Sequence, residues 1–93
     1  IALDSTDFYG LYVRGRIKVK TGELNGGIAD LSRAITAFPP NPGPYLERGI
    51  AYLVLGRDTE ARQDFDRYLQ LNPAGRALME KRIEAAKATK QSQ

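Results

Sequence analysis

Cysteine, histidine and tryptophan are absent from this sequence, and methionine occurs once. Without cysteine there is no disulfide and no thiolate nucleophile. Without histidine there is no imidazole base or ligand, so the plans most hydrolytic and metal sites rely on are closed. Long apolar runs are missing too: no stretch approaches the roughly 18 residues of a membrane span. The opening IALDSTDFYG lacks the basic and apolar regions of a signal peptide. The chain therefore reads as soluble, with no membrane insertion, while its compartment stays open. Nor is there a strong charge of one sign. Fourteen basic against 11 acidic residues leave a net charge of +3, a mixed surface that attracts acidic partners mildly and lacks the basic footprint of a nucleic-acid binder. The closest approaches to paired catalytic carboxylates, Asp64/Asp66 and Glu80/Glu84, lie on amphipathic segments among basic neighbours, with no nucleophile, phosphate loop or ligand set beside them. No catalytic, cofactor-binding or metal-binding residues are expected.

What is present is self-similarity. Arg14 and Gly15 recur as Arg48 and Gly49, Gly22 as Gly56, Asp30 as Asp64, Arg33 as Arg67 and Pro39 as Pro73, each displaced by 34 residues. Apolar positions follow the same frame: Val19 over Leu53, Leu31 over Phe65, Ile35 over Leu69. Each shared residue has a physical role. Gly15 and Gly49 let a neighbouring helix approach, at about 1 kcal/mol of helix propensity apiece. Gly22 and Gly56 suit helix C-caps, and Pro39 and Pro73 stop the helices that follow. Tyr45, Tyr52, Phe65 and Leu69 supply bulk between helices. The recurring Arg14/Asp30 and Arg48/Asp64 predict an ion pair between the two helices of each copy. One stretch reads differently. From Tyr12 to Lys20 polar residues alternate with Val13, Gly15, Ile17 and Val19, the pattern of an exposed strand. The equivalent stretch Leu46 to Leu55 does not alternate, and the repeat frame makes both helices. The frame predicts five helices, at 8–20, 24–38, 44–55, 59–71 and 75–90, with Thr6 or Asp7 capping the first and Asp58 or Thr59 the fourth.

A 34-residue period with these residues resembles the tetratricopeptide repeat, whose pattern runs W-x2-L-G-x2-Y, A-x3-F, P. In the second copy Tyr45 stands for the Trp, and Gly49, Tyr52, Ala61, Phe65 and Pro73 match. In the first copy Gly15 and Pro39 match, while Leu11, Lys18, Gly27 and Leu31 replace the Trp, Tyr, Ala and Phe, and both copies carry Arg in place of Leu. The resemblance implies an all-α fold, antiparallel helix-turn-helix pairs stacked as a short right-handed solenoid. It divides a single domain, 1–93, into repeat 1 (8–41), repeat 2 (42–75) and a capping helix (76–90) with one polar face. It also implies a concave groove lined by the first helix of each pair. Tyr9, Tyr12, Arg16 and Lys20 would contribute from repeat 1, and Leu46, Ile50, Leu53 and Val54 from repeat 2. Family members that grip a C-terminal carboxylate use Lys, Asn and Arg on successive helices. Leu46 and Ile50 depart from that set.

The third helix is apolar nearly all round, and such a helix is normally buried all round. Its second stripe, Leu46 to Val54, calls for a cover: residues 1–3, the fifth helix, a second copy of the chain, or a partner's peptide or helix in the groove. Two repeats fall short of the roughly three needed for independent stability, which also favours a partner. The expectation is a protein-interaction module, with oligomerisation or docking of a neighbouring domain through the third helix as the alternative.

Overall fold

The computed structural model describes residues 8–91, with side chains to Thr89. The helices are α1 (Phe8–Lys20), α2 (Leu24–Ala37), α3 (Gly43–Val54), α4 (Asp58–Leu71) and α5 (Arg76–Gln91), with a 3-10 turn at Pro73–Gly75 before the last. The fold is all-α, and no strand occurs among the described residues. Helices α1 and α2 form one antiparallel pair and α3 and α4 a second; α3 packs against α1 and α2, and α5 packs on α3.

The alternating stretch is helical because burial, not alternation, decides it. Coiled at 3.6 residues per turn, Leu11, Gly15 and the half-buried Val19 line up toward α2, while Arg14 and Lys18 flank them. The cost is Ile17, left 52% exposed. The helices can close because Gly15 and Gly49 carry no side chain. A Cβ at Gly15 would stand 2.7 Å from Leu31 Cγ, and one at Gly49 2.6 Å from Phe65 Cε1.

Helix ends follow the punctuation. Gly22 and Gly56 adopt φ of 92° and 82°. Each closes the same motif: the Glu23 N–H donates to the Lys18 carbonyl and Gly22 to Val19, just as Arg57 donates to Tyr52 and Gly56 to Leu53. These are Schellman caps. Helix α2 stops at Ala37, one residue before the predicted end, because Phe38 precedes Pro39 and is held extended at φ −150°, ψ 79°. Asn72, before Pro73, ends α4 the same way. At the start of α3 the Asn41 Oδ1 accepts from the Gly43 N–H at 2.9 Å, and Pro44 sits in the first turn. The expected side-chain cap at Asp58 or Thr59 does not form. Helix α4 begins at Asp58 itself, so Asp58 and Glu60 act as first-turn acids toward the helix dipole. Thr6 and Asp7 lie outside the described residues. The capping helix starts at Arg76, one residue late, because Gly75 belongs to the 3-10 turn.

Candidate groove and its charged frame

Two arginines set the helix pairs in register. Arg14 Nε and Nη2 donate to both carboxylate oxygens of Asp30, at 2.7 and 2.9 Å, and Arg48 does the same to Asp64, at 2.8 and 2.8 Å. Both aspartates are buried. Such forks fix orientation as well as distance. The two sites differ in their third partner. Lys18 Nζ joins Asp30 at 3.1 Å, while Arg48 Nη1 donates to Ser32 Oγ at 3.0 Å and so ties the second pair to α2 of the first. The hydrogen bonds from Arg14 hold the Asp30 carboxyl at about 2 against an opposing push from burial, with Lys18 adding to the lowering. In return Asp64 raises the Arg48 guanidinium.

A third fork joins α5 to α3. Arg82 Nη1 and Nη2 donate to Glu47 Oε2 and Oε1 at 3.0 and 2.7 Å. Glu47 is 3% exposed. This pair was not expected, although half of it was legible: Arg82 stands 34 residues beyond Arg48, as Arg48 does beyond Arg14. The other half was hidden, because repeat 1 has Val13 where repeat 2 has Glu47.

The apolar side of α3 is closed by α5. Leu46 and Ile50, 4% and 6% exposed, share one cluster with Tyr45, Tyr68, Met79 and Ala86, and Ile83 packs against it. The fifth helix therefore covers much of the stripe that called for a cover. Leu78, placed by the sequence on the packed face of that helix, instead points to solvent at 50% exposure.

Between the C-terminal halves of α1 and α3 and the side of α5 lies a cleft of about 600 Å³. Val19, Leu24, Ile50 and Val54 give it an apolar floor, Ala85 and Ala86 an apolar wall, and Lys20 and Arg82 a basic rim. Three of the eight residues named from sequence, Lys20, Ile50 and Val54, thus meet in one cavity. Leu53 is half-buried against the core cluster, and Leu46 lies within it. The other three sit toward the start of α1. Tyr9 is exposed, Tyr12 stacks on Phe8 with centroids 5.7 Å apart, and the Arg16 guanidinium lies 5.6 Å above the Tyr12 ring. Burial and the nearby Glu47 raise the Tyr12 phenol above its ordinary value, with Arg16 and Arg82 partly offsetting them. Arg14/Lys18 and Arg16/Lys20 separate as helical spacing requires, the first pair onto Asp30 and the second onto the Tyr12 ring and the cleft rim.

No group of histidine, cysteine, aspartate or glutamate residues that could hold a metal ion occurs among the described residues. No described helix is long and apolar enough to cross a membrane.

No protein-family model matches the chain, and no solved structure does. Among curated proteins it is similar to the tetratricopeptide repeat and J domain-containing co-chaperone DNJ1 of Fusarium oxysporum f. sp. lycopersici, with 33% identity over 63 residues. That match takes in 68% of this chain but only 12% of the co-chaperone's length. The likeness is thus to a small part of a longer repeat-bearing protein, and it agrees with an all-helical chain built on a 34-residue period.

Proposed function

We propose that this chain is a protein-interaction module, not an enzyme, and that it takes a peptide or helix of a partner protein in the concave cleft between α1, α3 and α5. The observation that carries the reading is the cleft itself: an apolar floor from Val19, Leu24, Ile50 and Val54 with Lys20 and Arg82 at its edge. Its volume is within the range of about 300–1,000 Å³ that specific sites occupy, and an apolar floor with a few charged groups at the rim is how such sites combine affinity with orientation. The similarity to a repeat-bearing co-chaperone supports a protein partner as the class of ligand.

The test avoids Ile50, which is buried and would report on folding. Peptides selected on the purified chain from a displayed library should lose binding to Val54→Asp, and should bind Lys20→Glu more weakly, while both variants keep the far-ultraviolet circular dichroism of the parent. Undiminished binding to a folded Val54→Asp chain would place the site elsewhere. The alternative, self-association, would appear as a mass that rises with concentration in light scattering; a monomer throughout would count against it.

A further inference from the structure

The most unusual group in the groove is Glu47. A carboxylate 3% exposed in the middle of α3 is tolerable only with a cation held against it, and Arg82 supplies that cation through two hydrogen bonds. Arg82 is on α5, which lies over the same stripe of α3, Leu46 and Ile50, that the repeat frame turns toward a ligand. Helix α5 is thus seated as a ligand would be, with Met79, Arg82, Ile83 and Ala86 directed at α3 by their spacing of three and four residues.

Its hold is slight beyond those four. Leu78, Glu80, Lys81, Glu84 and Lys87 are all exposed, and α5 packs chiefly on α3. An element with few buried apolar side chains opens at lower free energy than the rest of its domain. From the groove reading above, on which this step rests, we infer that α5 is an exchangeable occupant of the groove, and that the partner segment is an amphipathic helix presenting an arginine to Glu47 in place of Arg82. The selectivity follows from burial. A helix offering a neutral or acidic residue at that register would leave Glu47 dry and unpaired, so the groove rejects it. The favoured helix follows α5 in register: a methionine-like side chain, an arginine three residues on, then aliphatic residues at the next position and three beyond.

Competition between a tethered and a free helix gives the test. A tethered helix acts at an effective concentration in the millimolar range, so the intact chain should bind a free copy of α5 weakly. A labelled synthetic peptide of residues 76–91 is titrated into the parent chain and into Arg82→Ala, followed by fluorescence anisotropy and by thermal unfolding. The variant should bind at least about tenfold tighter than the parent, since only its tethered helix has lost the arginine. The peptide should raise the variant's melting temperature, and the same peptide with alanine in place of Arg82 should do neither. Equal binding by the two chains, or by the two peptides, would overturn the proposal.

Hydrogen exchange on the parent chain keeps the question open to refutation even if Arg82→Ala folds poorly. Amides of α5 should exchange faster than those of α1 to α4, and excess peptide should strip their remaining protection. Amides of α5 that open only with the whole domain would sink the exchange. So would a peptide that binds while α5 stays protected, but that result, if abolished by Val54→Asp, would leave the groove reading standing.

Discussion

Gly49→Ala and Gly26→Ala make the same chemical change in helical backbone, and the structure gives them opposite signs. Neither glycine has a positive φ, so alanine fits either backbone without strain and recovers about 0.5–1 kcal/mol of helix propensity. At Gly26 the new Cβ would stand 3.4 Å from Lys18 Cδ and 3.7 Å from its Nζ, ordinary contact with the far end of a flexible side chain. At Gly49 it would stand 2.6, 2.9 and 3.2 Å from three carbons of the Phe65 ring, a rigid half-buried group on α4. Either the ring leaves its rotamer or α3 and α4 move apart. Overpacking of that kind costs about 1–3 kcal/mol. Gly26→Ala should therefore stabilise by about 0.5–1 kcal/mol, and Gly49→Ala should destabilise by about 1 kcal/mol or more. In a chain of this size each kcal/mol moves the melting temperature by roughly 4–8 °C. Thermal unfolding followed at the helical circular dichroism band resolves both shifts. If Gly49→Ala melts as high as Gly26→Ala, then Gly49 is not where it is for close approach, and the tight α3–α4 contact is wrong.

Two further perturbations test the frame independently. Asp30 titrates at about 2 in the folded chain, below its ordinary value near 3.9, so its contribution is complete above about pH 4 and is lost as pH falls toward about 2. Urea midpoints measured down that range should decline for the parent and show a shallower decline for Asp30→Asn, with parallel slopes refuting the assignment. Leu31, with no exposed surface, faces Gly15 across the first helix pair. Leu31→Ala should cost about 2–5 kcal/mol, visible as a large drop in urea midpoint, whereas a change under about 1 kcal/mol would mean the site collapses freely and is poorly packed.

What the sequence disclosed, and what it hid, divides along the repeat. Everything that recurs at 34 residues was legible, because two copies of one unit vouch for each other. The Arg14–Asp30 and Arg48–Asp64 forks, the Schellman caps at Gly22 and Gly56, and the helix stops before Pro39 and Pro73 all fall in this class. The frame even outweighed the strand-like alternation of residues 12–20, since a strand there would have no partner to satisfy its backbone while a helix buries Leu11 and Gly15. The groove was legible only in part. Helical spacing alone puts Leu46, Ile50 and Val54 on one side of α3, but which of them a ligand can reach depends on where α5 lies, and α5 falls outside the two matched copies. Leu46 consequently belongs to the core and Val54 to the cleft, a distinction that helix period cannot draw.

The seat of α5 shows why a non-repeating residue can matter most for function. Apolar contact alone would let α5 rotate or slide on α3, because Met79, Ile83 and Ala86 present a generic stripe that several registers could bury. Adding one buried carboxylate changes that. Glu47 tolerates only registers that bring a cation within hydrogen-bonding distance, and on α5 the residue that does so is Arg82, flanked in the stripe by Met79 and Ile83. The pair therefore contributes less to net stability than to the choice of register, the role in which buried charges are best attested. The same requirement applies to any helix that takes the place of α5. A residue that breaks the repeat, standing where the first copy has Val13, is thereby the one that sets which helices the groove accepts.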